Sequence, residues 1–181
     1  MTGTGQGISK REAANRQLEV AIRMYLDGGD VVAIHTLACA ARGIYEKHCS
    51  MAGIPRFYDH IAATYPEMRQ KEIFDALNHA RNFFKHPDAD GDLAAEIELS
   101  DKDNKLMLFL AAYDCSALLT AQTPRLVQAY NAWFMATEPD FSDHACAQGL
   151  EARYPGISRG TVDEQRMFGR RFVQDVIAGK I

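Results

Sequence analysis

The stretch HARNFFKHPDADGD, residues 79–92, concentrates the side chains best suited to chemistry. Arg81 carries a planar fork of donors that matches phosphate oxygens. His86 has an imidazole whose ordinary pKa suits proton transfer near neutral pH. Asn82 lies beside the arginine and could orient either group. A guanidinium next to a phosphate, with an imidazole to shuttle a proton, is a combination that serves phosphoryl transfer without a metal. Geometry sets a condition. In one straight helix, five residues turn the side chain by about 500°, leaving Arg81 and His86 about 140° apart. They converge only if the chain leaves the helix at Pro87, or if two chains each contribute to one cleft.

The elements that must hold these residues are helical. Ser9, with Glu12 three residues on, reads as a capping box opening a helix over about 9–27, closed by Gly28-Gly29. Asp30 is a ready N-cap and Gly53 a ready stop for a second helix, rich in Ala and containing Gly43, where a neighbour can approach closely. Two long helices joined by Gly-Gly-Asp predict an antiparallel hairpin. A short helix between Pro55 and Pro66 follows, then a helix over about 67–85 with Ile73, Leu77, Ala80 and Phe84 as its apolar stripe. The segment 103–122 is apolar almost all round and is expected to be the most buried. Pro124 starts a helix carrying Trp133. Residues 138–160 read as irregular, with a helix near 143–152, and Thr161 caps a final helix with Glu164 at the third position. AEIEL, residues 95–99, alternates like a strand, but one short run cannot make a sheet. The expectation is an all-α bundle of six or seven helices: a tail at 1–8, the bundle at 9–137, and a segment 138–181 packed on the same domain.

Arg81-Asn82-Phe83-Phe84-Lys85-His86 has the form R-N-x3-H. It resembles the motif of the HEPN superfamily of helical bundles: an arginine, a polar residue, and a histidine after four to six intervening residues. Arg42 and His48 share the spacing, but Gly43 follows that arginine. The resemblance implies a homodimer with Arg81, Asn82 and His86 lining its cleft. Where such a site is active, it implies metal-independent cleavage of RNA at the dimer interface. The alternative it leaves is a module of the same shape that binds a nucleotide or a protein partner without catalysis. A reading without any site is also open. Lys85 and His86 meet the negative end of the helix dipole, and Arg81 pairs with Asp75 or with an acid of the following loop.

Other constellations point elsewhere. Asp88, Asp90 and Asp92 stand at positions 1, 3 and 5 of a calcium loop, but Leu93 and Leu99 occupy the positions that need Gly and Glu. The acids from Asp88 to Asp103 oppose a phosphate chain, and Arg153, Arg159, Arg166, Arg170 and Arg171 are the bases available to offset them. His35 with Cys39, and Asp75 with His79, are i, i+4 pairs on which a metal-dependent bundle enzyme would draw, although His35 fits better as a hydrogen-bonded core or interface residue. No G-x-G-x-x-G, P-loop, G-x-S-x-G or HExxH is present, and no cofactor is expected.

The 181 residues are enough for one core, and a net charge of -4 gives no general attraction to nucleic acid or anionic lipid. The four cysteines form no C-x-x-C pair, the first residues lack the apolar centre of a signal peptide, and no run is long enough to span a bilayer. A cytoplasmic protein with reduced thiols is expected.

Overall fold

The computed structural model describes residues 6–86 and 91–181. Those residues form eight α-helices and no strand: α1 Lys10–Leu26, α2 Val31–Ala52, α3 Phe57–Thr64, α4 Gln70–Lys85, α5 Asp101–Leu119, α6 Arg125–Thr137, α7 Ala145–Arg153 and α8 Val162–Ile177. Both expected short helices form, as α3 and α7, and the count among the described residues is eight where six or seven were expected. No described helix is long and apolar enough to cross a membrane.

The chain signals act where they stand. The Ser9 side chain accepts from the Glu12 N–H at 3.1 Å, but the Glu12 carboxylate turns to Arg16, so only half of that capping box forms. Asp30 accepts from the Ala33 N–H at 2.8 Å, and Gly53 closes α2 in the left-handed region at φ 68°. Thr161 and Glu164 form a complete box at the start of α8. α4 begins at Gln70, later than expected, because residues 66–68 are spent on a turn. It ends at Lys85, with His86 already out of helical geometry at φ -120°. The AEIEL run is irregular.

α1 and α2 pair as the expected hairpin, and α5 packs along α2 with α6 beside it. Leu18, Ile22 and Tyr25 of α1, Ile34 and Ala38 of α2, most of α5, and Tyr130 and Trp133 of α6 make one core. Phe109 and Phe134 stack at 3.9 Å within it. The close-approach glycine is Gly169 of α8. A Cβ there would lie 2.7 Å from Leu26 Cδ2 and 2.8 Å from Trp133 Nε1, so its absence lets α8 seat against α1 and α6. Gly43 meets no helix backbone. A Cβ there would meet only the Arg81 guanidinium, at 3.6 Å. α4 is peripheral, packing mainly on α2 and α3.

Candidate functional site

α4 lies against α2 through one side, and that side carries Leu77, Arg81, Phe84 and Lys85 at helical spacing. The helix ends before it can cover α2 fully. What remains is a cleft of about 280 Å³ between His35, Thr36, Cys39 and Ala40 of α2 and Arg81, Phe84 and Lys85 of α4. A second, smaller cleft of about 120 Å³ lies on the other side of His35, toward α5 and the segment before it.

Arg81 is half-buried, and its direction is set by its neighbours. The Asn78 amide donates to the Phe74 carbonyl at 2.8 Å, which fixes the amide's orientation and leaves its oxygen to accept from Arg81 Nη1 at 3.2 Å. Asn78 itself is 1% exposed and so rigidly held. Arg81 pairs with no carboxylate among the described residues, Asp75 included; Asp88 and Asp90 of the following loop lie outside them. Lys85, one turn on, also has no acidic partner among them. Arg42 lies in the wall of α2 behind the cleft, buried, 3.7 Å from Glu46.

The electrostatics are those of a site short of negative charge. Burial pushes the Cys39 thiol up to about 11, against the pull of Arg42 and Arg81, so it stays protonated at neutral pH and is a poor nucleophile or metal ligand. Burial also lowers the His35 pKa, against opposing contributions from the Asn104 hydrogen bond and from Asp103. His35 is therefore neutral in a cleft already holding two cations.

The motif residues separate. Arg81 lines the cleft, whereas Asn82 and His86 are exposed and outside it. The His86 N–H closes the helix on the Asn82 carbonyl at 2.9 Å, and its imidazole has no side-chain partner among the described residues. Sequence reasoning did not place Lys85, Phe84 or Asn78 at the site, although the i, i+4 spacing of Arg81 and Lys85 was available as a signal. It did place His35 as a hydrogen-bonded core residue, which is what it is.

The remaining constellations do not assemble. Among the described residues no three His, Cys, Asp or Glu side chains converge as a metal-sized group. Asp75 and His79 are both exposed. Asp88 and Asp90 of the calcium-like loop lie outside the described residues, and the Asp92 carboxylate accepts from the Ala94 N–H at 2.9 Å. Four of the C-terminal arginines have separate partners. Arg166 is 8% exposed, 2.7 Å from Asp101 and over the Tyr25 ring. Arg170 donates to the Leu26 carbonyl, Arg159 faces Glu151 at 3.7 Å, and Arg171 lies over Tyr154. These arginines hold α8 and the loop before it in place. Comparison with known proteins finds no family model that matches this chain, and neither a curated protein nor a solved structure is similar to it.

Proposed function

We propose that this helical bundle is a HEPN-like module that binds a phosphate-bearing ligand, a nucleotide or an RNA backbone, in the cleft between α2 and α4. One observation carries the reading. The half-buried Arg81 guanidinium spends one of its donors on Asn78, meets no carboxylate among the described residues, and stands at a cleft shared with Lys85. Cations held that way leave charge-assisted donors for an anion, and phosphate matches the fork geometry of arginine. The acidic residues after α4 favour a short ligand over a long polyanion.

Calorimetric titration with AMP tests this. Arg81→Ala should weaken binding by about tenfold or more at low salt, with a smaller loss in Arg81→Lys. Equal affinity in wild type and Arg81→Ala would remove the assignment.

A second reading, cleavage of RNA at a dimer interface, is favoured by one fact: His86 is exposed and without a side-chain partner among the described residues, and so is free to face a second copy. On that reading the imidazole of one chain meets Arg81 of the other, and His86→Ala abolishes cleavage of single-stranded RNA while leaving the melting temperature unchanged. A monomer that cleaves, or activity surviving His86→Ala, rules it out.

A further inference from the structure

We infer that His35 is a second recognition group of the α2–α4 cleft, accepting a hydrogen bond from a hydroxyl of the phosphate ester that Arg81 anchors, as a ribose hydroxyl would donate. The inference rests on the phosphate reading of the cleft and names the ligand class within it.

The tautomer of His35 follows from its neighbours. The Asn104 amide nitrogen donates to the Val31 carbonyl at 3.0 Å, so its oxygen is the atom 3.1 Å from His35 Nδ1. An oxygen there can only accept, so Nδ1 carries the proton and Nε2 carries a lone pair. His35 is 3% exposed, and no protein group among the described residues donates to Nε2. A buried acceptor left without a donor is unfavourable, and native structures generally supply one.

The two ring nitrogens point in roughly opposite directions. Nδ1 is held toward α5 by Asn104, and His35 lines both the cleft it shares with Arg81 and Lys85 and the smaller one toward α5. Phe84, partly exposed and a wall of the same cleft, stands edge-to-face with the imidazole at 6.1 Å between ring centroids. The surroundings select the donor. Arg81 and Lys85 line the cleft and repel a cation there, which argues against a metal ion or an amine, while Arg42 is already paired with Glu46 and Asp103 is the one acid among the described residues that acts on His35. A neutral hydroxyl carried close to a phosphate satisfies both groups, and a ribose phosphate carries both.

The test compares AMP with 2′,3′-dideoxy-AMP by calorimetry on wild type, His35→Phe and Arg81→Ala. Wild type should favour AMP by about fivefold to tenfold, the loss expected for one unmade hydrogen bond to a buried acceptor. His35→Phe should erase that preference, and Arg81→Ala should weaken both nucleotides alike. Equal affinity of wild type for the two nucleotides overturns the His35 assignment and leaves the Arg81 reading standing. No effect of Arg81→Ala on either nucleotide overturns the phosphate reading itself. The same comparison with a short oligoadenylate and its deoxy counterpart identifies the source, since a preference for the ribo form in either pair supports the assignment and the pair that shows it says whether nucleotide or RNA supplies the hydroxyl. Should His35→Phe fail to fold, histidine ¹⁵N spectra of wild type decide. Nε2 must be unprotonated in the free protein and must shift with AMP but not with inorganic phosphate. An Nε2–H tautomer, or a resonance that AMP leaves unmoved, overturns the proposal.

Discussion

Asp114 offers a direct check on the electrostatics of the bundle. It sits on α5, 1% exposed, and its carboxylate accepts from the Phe57 N–H at 2.9 Å, tying the start of α3 to the core. Burial raises its pKa from 3.8 to about 6, against the opposing Phe57 N–H and the positive charge of Arg42 and Arg56. A gap of about two units is worth about 3 kcal/mol. Because the folded pKa lies above the unfolded one, the folded state holds the proton more tightly. The stabilisation is complete below pH 3.8 and is lost as pH rises through about 6. Asp114→Asn keeps an oxygen for the Phe57 N–H and never ionises. The variant should therefore exceed wild type in stability at pH 7 by up to about 3 kcal/mol, and the advantage should shrink toward zero by about pH 4. Urea denaturation at several pH values, followed by the fluorescence of the single, buried Trp133, measures the difference directly. Carboxylates with lowered pKa values, such as Asp59 and Asp103, lose stability in acid, but they are common to both proteins and cancel. A difference that stays constant with pH, or widens on acidification, would refute the reasoning.

Two glycines give opposite expectations. Gly169→Ala gains about 1 kcal/mol of helix propensity but drives a methyl into Leu26 and the Trp133 indole, an overpacking cost of about 1–3 kcal/mol. The urea midpoint should fall, and a rise would show that α8 can shift freely. Gly43→Ala meets only Arg81 Nη2, at an ordinary contact distance of 3.6 Å. It should raise stability by about 0.5–1 kcal/mol in a thermal melt while leaving the AMP affinity within about twofold; a lower melting temperature would mean that α4 packs closer to α2 than described.

The helices were legible because their signals are local. Asp30 and Gly53 bracket α2, Thr161 and Glu164 open α8, and the end of α4 falls at Lys85, each decided within a few residues. The near-uniform apolarity of α5 announced its burial for the same reason: it is touched on several sides, by α1, α2 and α6. Cross-helix pairings were not legible. His35 and Asn104 are 69 residues apart, and Arg166 finds Asp101 at a separation of 65. Periodicity says which face of a helix is apolar but not which residue of a distant helix it meets. For that reason the C-terminal arginines could be named from the sequence only as bases available to offset the acids, whereas Arg159, Arg166, Arg170 and Arg171 each meet a different group. Gly43 shows the same limit. Its small size did predict a close approach, but the approaching group is a guanidinium instead of a helix.

That substitution bears on why the cleft lies where it does. A helix packed on several sides has no room for an unpaired cation, because a buried charge without a partner is strongly unfavourable. α4 packs mainly on α2 and α3, so Arg81 can be half-buried and oriented by Asn78 while lining an open cleft. α2, by contrast, is fixed between α1 and α5, which lets it hold a neutral histidine in one tautomer. On the proposed phosphate reading, a rigid wall that presents an acceptor and a peripheral helix that presents cations place selectivity and affinity on different elements. Substitutions on α4 should therefore change how tightly any phosphate binds, and substitutions at His35 or Asn104 should change which phosphate ester is preferred.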